Sequence, residues 1–167
     1  KAGDRAAFGR LVEHWHPKLV AHAWRLLGTG DSARDAAQEA WIEIANGLGR
    51  LVEVRAFPAW AFRIVTRRCA RIVSKLAHAR KLERAILAEP ETHVEFDPAI
   101  DASDARALSR AIGKLSPDQR ATVALHYFED MSVAQVAVAL DVPVGTVKTR
   151  LMHARANLRA ALEGERQ

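Results

Sequence analysis

The 167-residue sequence lacks several features that mark common protein classes. It has a single cysteine, Cys69, so it can form no internal disulfide, which suits a reducing cytoplasm. It contains no apolar run of about 18 residues, so we expect no segment of the chain to insert into a membrane. The period-two alternation of a half-buried β-strand is missing, while helical periodicity is nearly continuous. The sequence therefore predicts an all-α fold.

Motifs of enzyme sites are absent as well. There is no Walker loop and no G-x-G-x-x-G sequence, and the Ser and Thr residues belong to no nucleophile motif. His14 and His16 flank Trp15, but side chains two residues apart do not share a helix face, and no Cys or carboxylate cluster completes a metal site. Cys69 falls on an apolar helix face, which favours an inert core thiol. We expect no catalytic site, no metal and no cofactor.

The charge is positive and unevenly distributed. The net charge of +5 and a pI near 9.9 favour an anionic partner. Residues 1–76 hold 13 basic and 7 acidic side chains, residues 77–103 hold 3 and 6, and residues 104–167 hold 9 and 7. The acidic middle contains two prolines and little periodicity, which is typical of a linker, here from about Glu89 to Asp101. The prediction is two small helical domains, 1–76 and 104–167, joined by a helix end and acidic linker over 77–103.

The helix boundaries follow from start and stop residues. In the first domain we expect four helices: about Asp4–His14, Pro17–Leu27, Asp31 or Ser32 to Asn46, and Pro58 to at least Leu76, with a loop over 47–56. In the second domain, Ser116-Pro117-Asp118-Gln119 is a capping box with proline in the first helical turn, which predicts a helix start.

The stretch from Ser132 to Leu162 predicts a helix-turn-helix. Ser132 and Gln135 form a capping box, and Pro143 ends the first helix by disfavouring helical geometry at Val142. In the second helix one face is apolar: Val147, Leu151, Ala154, Leu158 and Leu162. The other face carries Lys148, Thr149, Met152, Arg155 and Arg159. A basic second helix after a short turn fits the DNA major groove. The alternative is a helical hairpin with a solvated basic face.

The fourth helix of the first domain is also divided into two faces. Its apolar arc is Ala61, Phe62, Val65, Cys69, Ile72, Val73 and Leu76. Its basic arc is Arg63, Arg67, Arg68, Arg71 and Lys75, with Trp60 at the edge. Like charges on one face repel each other unless a polyanion is bound, and an aromatic beside cations suits base stacking. A solvated basic face is the alternative.

Three stretches of the second domain resemble a known family. They are Leu-Ser-Pro-Asp-Gln-Arg at 115–120, Tyr-Phe-Glu-Asp-Met-Ser at 127–132 and Val-Pro-Val-Gly-Thr-Val-Lys-Thr-Arg at 142–150. Together they resemble the promoter-binding C-terminal domain of bacterial RNA polymerase sigma factors of the extracytoplasmic-function (ECF) group in the sigma-70 family. In the first domain, residues 35–41 resemble the segment that docks on core polymerase, and residues 57–64 resemble the segment that melts and reads the −10 element.

The resemblance implies an assignment of residues to partners. For the −35 element it implies base reading by Lys148, Thr149 and Met152, and phosphate contacts by Thr146, Arg150, His153 and Arg155. For the −10 element it implies Trp60, Arg63, Arg67, Arg68, Arg71 and Lys75. For core RNA polymerase it implies Asp35, Gln38, Glu39 and Trp41. Arg67 and Arg71 stand where the family usually has Asn or Asp. The resemblance therefore does not imply which −10 sequence this chain prefers.

The implied function is a cytoplasmic bacterial sigma factor that brings core RNA polymerase to promoter DNA and is restrained by an anti-sigma factor. One alternative is a sigma-like decoy that sequesters an anti-sigma factor without binding DNA. Such a mimic should lose its basic recognition surface, and this chain keeps it. A second alternative, an ordinary one-component regulator, leaves the matches at 35–41 and 57–64 unexplained.

Overall fold

The structure is a computed structural model that describes residues 4–86 and 103–164, and those ranges contain seven α-helices and no strand. The helices are α1 (Arg5–Leu27), α2 (Gly30–Gly47), α3 (Phe57–Ile86), α4 (Ser103–Gly113), α5 (Pro117–Val123), α6 (Val133–Leu140) and α7 (Val144–Gly164). The all-α prediction is confirmed. The expected linker, Glu89 to Asp101, lies outside the described residues.

Helix α1 corrects the expectation of two helices separated at Pro17. It begins at the predicted cap, where the Asp4 carboxylate accepts hydrogen bonds from the amides of Ala6 and Ala7, and it then continues through Pro17. An internal proline removes one backbone hydrogen bond and costs about 3 kcal/mol. The helix persists because it packs on both sides of the proline, through Phe8 before it and Leu19 after it.

The turn between α1 and α2 begins at Gly28. This residue has a φ of 79° and its amide bonds to the carbonyl of Trp24, which is the left-handed cap that favours glycine. Helix α2 then starts at Gly30 with Thr29 as its N-cap, so the predicted cap at Asp31 or Ser32 was two or three residues late.

The segment between α2 and α3 is more ordered than the predicted loop. It contains two 3₁₀ turns, Leu48–Arg50 and Val54–Ala56. At the end of α2, a Cβ on Gly47 would lie 2.8 Å from Cζ2 of Trp60, so only glycine lets the indole pack there. Trp60 also lies 6.1 Å from Phe57, measured between ring centroids, and is half-buried.

The second domain follows the sequence pattern closely. The hydroxyl of Ser116 accepts from the amide of Gln119, although the Gln119 side chain bonds to Asn157 instead of returning to the cap. After α5, a π-helical turn, Ala124–Phe128, leads into α6, whose capping box between Ser132 and Gln135 is complete. Asp141 then ends α6 in a left-handed conformation with a φ of 58°.

The predicted inner faces of the two long helices are largely correct. In α7, Val147, Leu151 and Ala154 are buried. In α3, Phe62, Val65 and Cys69 are at most 1% exposed. Leu76 is an exception with 50% exposure, because the helices that pack on α3 do not reach its last turns. Nowhere in the described ranges does a helix combine the length and apolarity needed to cross a membrane.

Candidate nucleic-acid interface

The outer face of α7 presents the residues expected to read bases. Lys148 and Thr149 are exposed, and the side chain of Met152 is 57% exposed. The hydroxyl of Thr149 donates to the carbonyl of Gly145 at 3.1 Å, so its only donor is used within the helix and its acceptor lone pairs remain unused by this bond. Because the opposite face of α7 is buried, the helix face that carries these side chains has a fixed orientation in the domain.

The expected phosphate contacts surround that patch and differ in their local partners. His153 and Arg155 are exposed, whereas Thr146 is half-buried. Arg150 forms an ion pair with Asp118, which lies at the start of α5. This ion pair holds the guanidinium of Arg150 close to the first turn of α5.

Arg155 has a partner that sequence reasoning missed. Its Nε donates to the phenolic oxygen of Tyr127 at 2.7 Å, and its guanidinium lies 5.8 Å from the centroid of the same ring. Tyr127 is itself 52% exposed. Two contacts from one residue restrict the rotamers of a long cation, so Tyr127 orients Arg155 on the exposed side of the domain. No periodicity in the sequence links two residues 28 positions apart.

Two of the five cations on the basic face of α3 are paired with carboxylates of the same domain. Arg67 pairs with Glu43, and Arg68 pairs with Glu43 at 2.8 Å and with Glu39 at 3.2 Å. Both carboxylates come from α2. The helical periodicity of the sequence placed these cations on one face of α3, but it could not show that α2 packs beside that face.

Glu43 is held in its charged form by this arrangement. Desolvation alone would raise the pKa of its carboxyl group. Hydrogen bonds from Arg68 and Arg67, together with their charge, outweigh desolvation and lower that pKa below its usual value. At neutral pH, the Glu43 carboxyl is therefore ionised, and it competes with any other anion for Arg67 and Arg68.

The remaining cations of α3 have different surroundings. The guanidinium of Arg63 donates to the carboxylate of Asp141, the residue that ends α6, at 2.7 Å. Arg71 and Lys75 are exposed. The −10 set predicted from the sequence is thus brought together on one helix face, but it is not uniformly available.

The residues expected to dock on polymerase separate into two groups. Asp35, Gln38 and Glu39 are exposed on one face of α2. Trp41 is only 9% exposed and packs edge-on against Phe8 with ring centroids 5.8 Å apart, so we remove it from the contact surface. Ile42, which is 61% exposed, lies on the same face as the polar residues and was missed.

Two buried titratable groups of the first domain are held in their neutral forms. His22 is fully buried, its Nε2 lies 2.9 Å from the Thr66 hydroxyl, and its ring contacts Phe62. Burial, assisted by the charge of Arg25, lowers the pKa of His22 to about 3, so the ring is neutral. Burial also raises the pKa of the Cys69 thiol to about 12, which makes it unreactive in the folded chain.

No group of His, Cys, Asp and Glu side chains in the described residues is arranged to hold a metal ion. What those residues do present is a helix-turn-helix with an exposed basic second helix, packed against a helical domain whose longest helix carries further cations. This arrangement defines a helical DNA-binding protein of the helix-turn-helix class.

Comparison with known proteins identifies the family. Sigma-70 region 2 matches residues 11–80, and sigma-70 region 4 matches residues 105–158. The ECF RNA polymerase sigma factor SigM of Mycobacterium tuberculosis is 33% identical over 157 residues, which cover 94% of this chain and 78% of the relative. SigW of Bacillus subtilis is 27% identical over 172 residues, covering 97% and 92%. The chain belongs to the ECF group of sigma-70 factors.

Solved structures agree with the fold. The sigma factor RpoE from Bartonella quintana, in a co-crystal with the anti-sigma factor NepR, superposes with a TM-score of 0.75 at 22% identity. The superposition covers 94% of this chain and 97% of that one. At 22% identity, this similarity shows that the two chains arrange their helices in the same way.

Proposed function

We propose that this protein directs core RNA polymerase to promoters by binding the −35 element as duplex and engaging the −10 element as it melts. The observation that carries the proposal is the outer face of α7, where Lys148, Thr149 and Met152 are exposed on a helix-turn-helix whose inner face is fixed in a core. A bacterial sigma factor needs such a surface to select a sequence, while the polymerase performs the chemistry.

In the −35 complex, α7 lies in the major groove. Lys148 donates to base edges, the methyl of Thr149 and the Met152 side chain contact apolar base surface, and Arg155 binds phosphate in the orientation given by Tyr127. Further contacts to the DNA phosphates come from Thr146, Arg150 and His153. Contacts to phosphate fix the register of the domain, and contacts to bases select the sequence.

In the −10 complex, Trp60 and the cations of α3 bind the separated strand. The support is the position of Trp60, whose indole rests on Gly47 next to a row of positive charges, an arrangement suited to a stacked base and its phosphates. Arg71 and Lys75 are exposed for this purpose. Arg63, Arg67 and Arg68 must exchange their present carboxylate partners for phosphate.

The polymerase contact is the exposed face of α2 formed by Asp35, Gln38, Glu39 and Ile42. An apolar side chain surrounded by polar ones is the usual composition of a small docking surface. Glu39 already pairs with Arg68 at 3.2 Å, so docking on this face and release of Arg68 toward DNA are physically linked.

Restraint by an anti-sigma factor completes the proposal. RpoE, which shares the helix arrangement, was solved with such a partner. A partner that covers both the α2 face and the α7 face would block polymerase and promoter together, and binding two domains of one chain raises its affinity through effective concentration. The site of action is the bacterial cytoplasm, where polymerase and promoters are.

The test is reconstitution. The purified chain is mixed with bacterial core polymerase, recovered by size exclusion, and used in run-off transcription on a library of randomised −35 and −10 elements. We expect co-elution with core polymerase and enrichment of one promoter class. A chain that co-elutes with an anti-sigma factor but neither binds core polymerase nor produces transcripts would be the decoy, and the proposal would be wrong.

A further inference from the structure

A groove of about 590 Å³ lies in the helix-turn-helix domain, between the first turn of α5 and the outer face of α7. Its lining comes from both helices and includes Ser116, Asp118 and Gln119 at the start of α5, and Thr146, Arg150 and His153 on α7. The three residues from α7 are the ones expected to contact phosphates of the −35 element. In the proposed −35 complex, the DNA backbone therefore runs along this groove.

Asp118 is the one acidic residue among those that line this groove in the described part of the chain. Its carboxylate accepts a hydrogen bond from the guanidinium of Arg150, and the two groups form an ion pair. The side chain of Asp118 is 68% exposed and that of Arg150 is 23% exposed. The carboxylate is thus the outer member of the pair, and a phosphate that approaches from solvent meets a negative charge before it meets the cation.

The ion pair between Asp118 and Arg150 contributes little to folding stability. Its carboxylate is mostly in water, where the attraction between the two charges is screened. The start of α5 does not depend on the pair, because the cap is made by the hydroxyl of Ser116, which accepts from the amide of Gln119. What Asp118 changes most is the charge that Arg150 presents to the groove.

The net charge of the pair matters for DNA binding because phosphate contacts act through charge. A guanidinium has five N–H donors, so a phosphate has donors of Arg150 to bind beside Asp118. The attraction, however, comes from neutralised positive charge and released counterions. A pair without net charge releases fewer counterions than a free cation, so Arg150 adds little to the affinity while Asp118 holds it.

We propose that Asp118 is an internal competitor for Arg150, which weakens the binding of α7 to duplex DNA of every sequence and leaves the choice of site to base contacts. Lys148 and Met152, which are expected to make such contacts, lie outside the lining of the groove. DNA other than promoters is held through phosphate contacts alone, so Asp118 reduces the binding of the factor to such DNA. This role rests on the proposed function, in which α7 binds the −35 duplex.

Asp118→Asn in the full chain tests the proposal, because it removes the charge and keeps the size of the side chain. Binding is measured by fluorescence anisotropy at several salt concentrations, with a duplex obtained by binding selection and a duplex of random sequence. We expect a threefold to tenfold gain in affinity for both duplexes, equal within about twofold, because phosphates are common to both. The salt slope should become steeper by about 1, since one more cation then exchanges counterions.

Glu163→Gln is the control for net charge. Glu163 is exposed near the end of α7, roughly 20 Å from Arg150 along the helix axis at 1.5 Å per residue. The substitution changes the net charge of the chain by the same amount as Asp118→Asn. Because the two positions are about two Debye lengths apart at moderate salt, we expect less than a twofold change in affinity.

A double variant shows whether Asp118 acts through Arg150. In an Arg150→Gln background there is no guanidinium to release, so the gain from Asp118→Asn should fall below twofold. A gain of the same size with and without Arg150 would mean that Asp118 repels phosphate directly, and the competition would be wrong.

The other outcomes for Asp118→Asn are equally decisive. Weaker binding would show that Asp118 positions Arg150 for phosphate, and unchanged affinity would place the pair outside the path of the DNA, so either result overturns the proposal. An equal gain in Glu163→Gln would assign the effect to net charge and would also overturn it. Partial unfolding lowers affinity, so it cannot imitate the expected gain.

Failure of the proposed function is visible in the parent chain. A parent that does not bind duplex, or that binds it without sequence preference, contradicts the assignment of the −35 element to α7. Sequence preference in the parent together with no gain in Asp118→Asn contradicts the role of Asp118 alone.

Discussion

The basic faces of α7 and α3 look alike in the sequence and differ in the structure. Each is a row of cations opposite an apolar row. On α7, Lys148 and Arg155 are exposed, and the hydrogen-bond partner of Arg155 in the described residues is the hydroxyl of Tyr127 and not a carboxylate. On α3, Arg67 and Arg68 are paired with two carboxylates of α2. The difference shows that a cationic helix face defines a possible anion site, and that neighbouring helices decide whether the site is open or occupied.

The largest effect is expected from the buried arginine that joins the ends of α1 and α4. Arg120→Leu removes a donor from four backbone carbonyls, of which only that of Ile112 accepts a further backbone hydrogen bond in the described residues, from the amide of Leu115. We expect a loss of about 3 kcal/mol or more in the free energy of unfolding. Urea denaturation followed by circular dichroism measures it. Arg159→Leu, on the exposed side of α7, is the control and should change stability by less than about 0.5 kcal/mol. Similar losses in both variants would contradict the role of Arg120.

The next prediction tests how α7 reads DNA. Lys148→Ala should cost about 1–3 kcal/mol on the preferred −35 site and relax sequence preference there, because a base-edge donor is lost. Arg155→Ala should weaken binding to all sequences alike and reduce the salt slope by about 1. Binding selection on a randomised duplex at several salt concentrations distinguishes the two. Unchanged preference in Lys148→Ala would mean that another part of α7 faces the bases.

Lowering the pH should reduce the stability of the first domain, because His22 is buried there in its neutral form. The pKa of His22 is about 3 in the folded chain, against an ordinary value of 6.5, because burial and the charge of Arg25 disfavour the protonated ring. Between these values the unfolded state binds more protons, so stability present above pH 6.5 is lost as the pH falls toward 3. The limiting slope is about 1.4 kcal/mol per pH unit.

Urea denaturation between pH 5 and pH 7 measures this slope. Because burial raises the pKa of the Glu129 carboxyl above its usual value, the contribution of His22 is isolated by comparison with a His22 variant. His22→Gln keeps a hydrogen-bonding group near Thr66 and removes the titration. A slope that is as steep in His22→Gln as in the parent would assign the pH dependence to other groups. The inner face of α7 holds Val147, Leu151 and Ala154, none of which titrates.

A smaller effect is expected from removing a carboxylate partner of the α3 cations, which makes the basic face of α3 more accessible, as that of α7 is. Glu43→Gln removes the carboxylate that Arg67 and Arg68 share, so Arg67 becomes available to phosphate and Arg68 keeps only its pair with Glu39. We expect a twofold to fivefold gain in affinity for a single-stranded −10 oligonucleotide and a steeper salt dependence, because more cations then exchange counterions on binding. Glu53→Gln, in the loop before α3, is the control. No change in the salt slope would show that the two arginines lie away from the bound strand.

The smallest effect concerns the orientation of Arg155. Tyr127→Phe removes the hydroxyl that accepts from Nε of Arg155 and keeps the ring under its guanidinium. We expect a loss of twofold to threefold in affinity for a −35 duplex, because one rotamer restraint is lost and the charge remains. The loss should vanish when Arg155→Ala is already present. A loss of the same size in the Arg155→Ala background would mean that Tyr127 contacts DNA by itself.

The helix boundaries show which sequence patterns are reliable. Ser116 and Ser132 cap the helices that the sequence assigned to them, because a cap depends on residues within one turn. The division expected at Pro17 was wrong, since packing of α1 on α2 and α3 outweighs the local cost of the proline. Trp41 was placed among the polymerase contacts by resemblance, and its burial against Phe8 depends on a neighbour 33 positions earlier.

The amino-acid sequence by itself determined the helical class, the capped starts of α5 and α6, the two faces of α7 and the resemblance to ECF sigma factors. These depend on residues a few positions apart, where spacing fixes geometry. The tertiary structure alone decided that Glu43 neutralises Arg67 and Arg68, that Tyr127 orients Arg155, and that Asp141 lies beside Arg63. Each of these contacts joins residues 24 to 78 positions apart, and only the packing of whole helices brings such residues together.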